Sequence, residues 1–177
     1  MTPLRLFAGC VVGAVVVTAA CAPITVTSFT ERGVDLTSYR TFAWERTDTG
    51  VPGDPRLDNN DIFHDYLRAA IDRQLIGHGY EPTTLQPDVY VHYHGGARQK
   101  VYAGDKEWTT GRCDDCTVEV YDEGTLLVDL TNARTGALVW RGTAESGLAG
   151  VVNRQRDMEK IIERVVGQIF ATLPRRS

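Results

Sequence analysis

The sequence predicts an α+β domain: a mainly antiparallel β-sheet with two amphipathic helices packed on one face. Three observations predict it. Glu123 to Glu145 alternates apolar and polar residues on both sides of a turn signal; a period of two marks half-buried strands. Residues 59–76 and 153–173 repeat apolar residues at intervals of three and four, which lays one apolar stripe along a helix. The order of these patterns is strands, helix, several strands, helix. That order suits a sheet whose helices bury their stripes on the same side.

The 123–145 stretch organises the rest. Leu126, Val128 and Leu130 alternate with Leu127, Asp129 and Thr131. Past the turn, Leu138, Trp140 and Ala144 alternate with Val139, Arg141 and Thr143. Arg134-Thr135-Gly136 suits a three-residue hairpin loop with glycine in the left-handed position. Such a loop sets Leu130 opposite Trp140, Leu126 opposite Ala144 and Asp129 opposite Arg141. Both apolar rows then fall on one side, so turn chemistry and pattern agree.

The chain opens on a targeting segment. Arg5 is a short basic region, and Leu6 to Ala20 carries no Asp, Glu, Lys or Arg. The run is too short for a membrane span and reads as a secretory signal over residues 1–20. It ends in Val17-Thr18-Ala19-Ala20-Cys21, which resembles the lipobox of bacterial lipoproteins. In that resemblance Cys21 becomes the acylated first residue. The alternatives are an ordinary signal cleaved nearby and, with less apolar sequence before it, Cys10. Losing residues 1–20 removes one positive charge and moves the net charge from −4 to −5. A mildly acidic domain has no electrostatic case for nucleic acid or anionic lipid. The membrane is met through acyl chains, at about 0.8 kcal/mol per buried methylene.

A lipid-anchored segment and first strand are expected over 21–34, and a single domain over 35–175. Ile24, Val26 and Ser28 share one face of the first strand. Tyr39 to Trp44 is aromatic and alternating and reads as a second strand, with Phe42 and Trp44 on one face. Thr47 to Asp58 is a loop rich in Asp, Gly and Pro. The first helix stripe is Ile62, Phe63, Tyr66, Leu67, Ala70, Ile71 and Leu75, with Asp58, Asn59 or Asn60 as cap and Gly77 and Gly79 at its exit. Arg68, Asp72 and Arg73 fall on its wet side. Pro87 to Gly96 is a strand that Gly95-Gly96 ends; Val89, Val91 and Tyr93 share one face and Tyr90, His92 and His94 the other. Residues 97–116 are irregular apart from a short strand at Val101-Tyr102, and Thr117 to Tyr121 resumes the alternation. The second helix carries Met158, Ile161, Ile162, Val165, Val166, Ile169, Phe170 and Leu173, and Pro174 stops it.

Four stretches together resemble a bacterial lipoprotein family known as domain of unknown function 4136. They are Leu36 to Trp44 with its Ser38-Tyr39-Arg40-Thr41-Phe42-Ala43-Trp44 core, Ala70-Ile71-Asp72 with Gly77-His78-Gly79-Tyr80, Pro87-Asp88-Val89-Tyr90-Val91 with Tyr93 and His94, and Glu123-Gly124-Thr125-Leu126 with Thr135-Gly136 and Val139-Trp140-Arg141-Gly142. The resemblance implies a small envelope lipoprotein with an α+β domain. It implies no activity.

Three constellations could carry chemistry. Cys113 and Cys116 enclose two aspartates. Export favours a structural disulfide, worth about 2 kcal/mol by chain entropy. Zinc would need further ligands. A redox thiol at Cys113 would need a helix start, whereas a strand follows and the flanking acids raise thiol pKa values. His92 and His94, two apart on a strand, aim at one side as metal sites can. Asp105, Glu107, Asp114, Asp115, Glu119, Asp122 and Glu123 crowd the irregular region without calcium-loop spacing, which reads as a solvated acidic loop. No nucleophile elbow, P-loop or dinucleotide glycine pattern occurs. Trp44, Trp140 and the tyrosines read as core and cross-strand residues.

The expectation is a non-enzymatic, lipid-anchored envelope protein that needs no cofactor and acts by binding or structure. It would face the periplasm, from the outer membrane because Ala22 follows Cys21 in place of the aspartate associated with inner-membrane retention. A periplasmic metal-binding domain using His92 and His94 is the alternative, and a thiol-dependent enzyme at Cys113 is a third.

Overall fold

The computed structural model describes residues 24–45, 60–103, 118–147 and 155–175, with backbone alone over 100–103, 118–122, 147 and 155–156. Its strands are β1 (Thr25–Thr30), β2 (Thr41–Trp44), β3 (Glu81–Pro82), β4 (Val89–Ala103), β5 (Val118–Asn132) and β6 (Leu138–Gly147). They form one six-stranded sheet in the order β1-β6-β5-β4-β2-β3. Helix α1 (Asp61–Gly77) lies between β2 and β3 in sequence, and α2 (Gln155–Phe170) follows β6.

The central hairpin takes the expected register. Leu130 pairs with Trp140, Asp129 with Arg141 and Leu126 with Ala144. Gly136 adopts the left-handed φ of 69°. The Asn132 carboxamide oxygen accepts from the backbone N–H groups of Arg134 and Thr135 at 2.9 and 3.1 Å, which fixes the loop. One detail differs. Thr131 pairs with Leu138 while Leu130 pairs with Trp140, so Val139 is an extra residue. A bulge of this kind breaks the alternation, and Leu138 leaves the row that Trp140 belongs to.

The sheet is mainly antiparallel, as expected, but mixed rather than purely so. β1/β6, β6/β5 and β5/β4 run antiparallel, while β2 runs parallel to both β3 and β4. The reason is connectivity. β2 and β4 stand on either side of α1 in sequence, and a strand–helix–strand crossover returns the chain in the same direction. β4 also runs further than expected. Gly95 and Gly96 do not end it; they pair with Leu126 and Thr125, and the ladder continues to Ala103 opposite Val118. Glycine weakens a strand, but here β5 supplies every rung. Val118 to Tyr121 resumes the strand as expected, and β5 runs unbroken from Val118 into the central hairpin.

Both helices follow their stripes. Asn60 caps α1, its side chain accepting from the Phe63 N–H, and Gly79 takes a φ of 89° at the exit. Phe63, Leu67, Ala70, Ile71 and Leu75 of α1 are buried, as are Met158, Ile162, Val165, Val166, Ile169 and Phe170 of α2. Ile62, placed on the first stripe, is 43% exposed. The Trp140 ring sits 5.4 Å from Phe170 of α2, and the Tyr93 hydroxyl meets His64 of α1 at 2.6 Å. Trp140 and Tyr93 share a face with Val91, Val128 and Leu130 through the registers. Both helices therefore cover that face, and the core lies between it and them.

Candidate functional site

Two side-chain groups meet around β2, one on each face of the sheet. On the helix face, Trp44 is held from three directions. Its indole Nε1 donates to Asp72 at 3.0 Å, the Arg68 guanidinium stacks 4.9 Å above its ring, and Tyr93 meets it edge-on at 5.9 Å. Helical spacing explains the grip: Arg68 and Asp72 are four apart, so one face of α1 presents both. Arg68 stays exposed on the wet side, as expected, while Asp72 is half-buried against Trp44. Burial pushes the Asp72 carboxyl above its ordinary range, opposed by the Trp44 hydrogen bond and the Arg68 charge.

That raised pKa has a definite sign. The folded chain holds the Asp72 proton to a higher pH than the unfolded chain does. The resulting stabilisation is full below the ordinary carboxylate range and is lost as pH rises through the folded pKa. Asp72→Asn removes this dependence and keeps an acceptor for Trp44. Its stability at pH 7 is expected to match or exceed the parent, within about 0.5 kcal/mol. Asp72→Leu orphans the indole N–H and is expected to cost about 1–2 kcal/mol. Urea melts at pH 4 and pH 7 check both.

On the opposite face, His92 Nε2 meets Glu45 Oε2 at 2.5 Å and Thr131 Oγ1 at 3.4 Å. Hydroxyl, imidazole and carboxylate match a catalytic triad in composition only. A triad uses both ring nitrogens, one for the nucleophile and one for the orienting acid. Here both partners converge on Nε2, so the acid occupies the nitrogen that would take the proton. His94 shares the strand face, but among the described residues no three His, Cys, Asp or Glu side chains are grouped to hold a metal ion. Further along, Arg98 bridges Glu123 at 2.9 Å and Glu145 at 3.1 Å. Arg141 grips Asp129 with two bonds of 2.7 Å, as the predicted register requires. On this face the arginines are each paired with carboxylates, Arg141 with one and Arg98 with two.

A cleft of about 1120 Å³ runs along the outer edge of β2. Phe42, Trp44 and Tyr90 give it an aromatic wall, Glu45 and Asp72 its acids, and Thr83 to Pro87 its rim. In that rim Gln86 takes a φ of 48°, the only left-handed non-glycine among the described residues, and Leu85 is 80% exposed. Cys21, Cys113 and Cys116 lie outside the described residues, as do Asp105, Glu107, Asp114 and Asp115. The Glu45 and Asp72 partnerships were missed because each joins residues far apart in sequence. Only the alternation that sets Trp44 and Glu45 on opposite faces was available to hint at them.

A family model described as Domain of unknown function (DUF4136) matches residues 25–175. No curated protein matches the chain. Among solved structures, a PDZ domain protein from Parabacteroides distasonis is 12% identical over 84% of this chain, with a TM-score of 0.51. The match covers 34% of that protein, so this chain spans about a third of its length. A PelC dodecamer from Paraburkholderia phytofirmans is 13% identical over 88% of this chain and 100% of its own, with a TM-score of 0.44. A second crystal form of that dodecamer gives 12%, 88%, 100% and 0.45. At these identities the likeness to the PDZ domain protein concerns fold alone.

Proposed function

The chain belongs to the DUF4136 family, and from that premise we propose that it is a lipid-anchored protein of the bacterial cell envelope. Its role in this reading is binding or structural rather than catalytic. It faces the periplasm, held at the outer membrane on the sequence ground that Ala22 follows Cys21.

The observation that carries the proposal is the spacing between Cys21 and the fold. β1 begins at Thr25, four residues beyond Cys21. Four residues reach at most about 14 Å. Acyl chains on Cys21 would hold the folded body directly at the bilayer, with no long linker. No helix among the described residues is long and apolar enough to cross a membrane; the attachment proposed is covalent. One acyl chain binds only marginally, and stable attachment takes at least two. The non-catalytic part is supported by the convergence of Glu45 and Thr131 on one nitrogen of His92. The same Glu45 contact counts against the metal-binding alternative, since a metal at His92 would have to displace it.

Cys21→Ala tests the anchor. The parent chain, expressed in a bacterium with its signal, is expected to sediment with membranes after a high-salt wash and to incorporate labelled palmitate. The variant is expected to lose the label and the membrane fraction together. A variant that stays on the membrane, or an unlabelled parent, would refute the proposal.

A further inference from the structure

We propose that the outer edge of β1, unpaired among the described residues, pairs with β1 of a second copy of this chain, joining two sheets into one. The two edges of the sheet differ. β3, at one end, is two residues long and ends in Pro82, which cannot donate to a further strand. β1, at the other, is six residues of Thr-Val-Thr-Ser-Phe-Thr with no charge, proline or glycine. Natural sheets blunt their edges with those residues, and an edge lacking them is a template for another strand.

The backbone directions are fixed by the register. The Glu31 N–H donates to the Val139 carbonyl at 3.1 Å, in line with the β1/β6 pairing. Polar groups alternate in direction along a strand, so those of Thr25, Thr27 and Phe29 also face β6. Those of Val26, Ser28 and Thr30 face outward, and none has a hydrogen-bond partner on that side among the described residues. Phe29 is 48% exposed beside them.

The strand suits a copy of itself. A two-fold axis through Ser28 pairs Val26 with Thr30, and Thr27 with Phe29, of the second copy. Every outward N–H and C=O then finds a partner, and no like charges meet, because Glu31 and Arg32 fall at opposite ends. One strand edge offers far less than the roughly 1,200 Å² of a stable interface. Pairing should therefore be weak in dilute solution and rely on confinement, which raises effective concentration to about the millimolar range. The source of that confinement rests on the acyl anchor proposed above; the edge itself does not.

The test is disulfide trapping in the full chain with Cys113 and Cys116 replaced by serine. Opposed residues of a hydrogen-bonded antiparallel pair lie about 5.5 Å apart at Cα, within disulfide range. Ser28→Cys on the membrane is expected to yield covalent dimer at about ten times the rate of Thr135→Cys, an exposed hairpin-loop control. Ser28→Cys with Thr30→Pro should lose trapping, since proline removes an outward donor without touching the β1/β6 ladder. Thr27→Lys with Ser28→Cys should lose it through charge repulsion, with melting temperatures showing that both variants fold. Membrane fractionation of the same samples reports the anchor separately. If the chain proves soluble, the trapping is read at about 1 mM protein. Ser28→Cys no faster than Thr135→Cys, in either setting, overturns the proposal.

Discussion

Adding a single methyl group at Gly142 is expected to destabilise the fold by about 1–3 kcal/mol, at the damaging end for one carbon atom. An ideal Cβ there would lie 2.6 and 2.9 Å from two carbons of the Trp140 ring and closer still to Ile169 of α2. Neither neighbour yields without cost. Trp140 and Ile169 are fully buried, and Trp140 is packed against Phe170. The bare backbone of β6 at Gly142 lets α2 settle on the sheet with the indole tucked alongside. Gly142→Ala must lift the helix or turn the ring, and Gly142→Val must do both. A domain of this size loses about 2–4 °C in melting temperature per kcal/mol, so Gly142→Ala should melt several degrees lower. Gly96→Ala is the matched control. It lies in a strand of the same sheet with nothing within 4 Å of the added carbon, and should leave the melt nearly unchanged.

Asp88→Ala is expected to cost about 1–3 kcal/mol, through hydrogen bonds rather than packing. Asp88 stands just before β4 and closes its parallel junction with β2. Its Oδ2 accepts from the backbone N–H of Arg40 at 2.7 Å, and from the Thr41 N–H and hydroxyl at 3.0 and 3.1 Å. Its own N–H donates back to the Thr41 hydroxyl and carbonyl. The carboxylate thus substitutes for rungs the ladder has not yet begun to make. The Arg40 backbone N–H is the leading influence holding its carboxyl below the ordinary range, with the Thr41 bonds and the Arg134 charge adding to it against a desolvation penalty. Because the folded pKa is depressed, the stabilisation is present above the ordinary carboxylate pKa and lost as pH falls through the folded value. Chemical denaturation between pH 7 and pH 3 should show the parent and Asp88→Ala converging toward acid. A gap that stays constant over that range would remove the carboxylate from the explanation.

These two residues illustrate what the sequence could and could not disclose. The central hairpin was legible to the register because its turn glycine, its alternation and the opposed Asp129 and Arg141 all specify one pairing. The helices were legible because each has a single stripe with recognisable stops. The parallel placement of β2 was not legible, since two short strands around a helix look the same whether the chain returns beside the first or elsewhere. Gly95-Gly96 misled for a related reason: glycine lowers a strand's own preference, while the ladder from β5 is a long-range term that no local window contains. Val139 carries no sequence mark of the bulge it makes. Asp88 stood in plain view before a strand, yet its value depends on Arg40 and Thr41, which lie far upstream. The contacts of Trp44 with Asp72 and of His92 with Glu45 are likewise invisible until the crossover is known. What sequence read well was local pattern; what it missed was created by elements meeting.

The claim that gives the fold its setting is that Cys21 is the modified first residue of the mature protein, four residues ahead of β1. Intact mass spectrometry of the protein extracted from its native membrane tests this most directly. The mass expected is that of residues 21–177 plus a lipid of at least two acyl chains, with the lipid confined to an N-terminal peptide that starts at Cys21. An unmodified mature chain, or one that begins at any other residue, would contradict it.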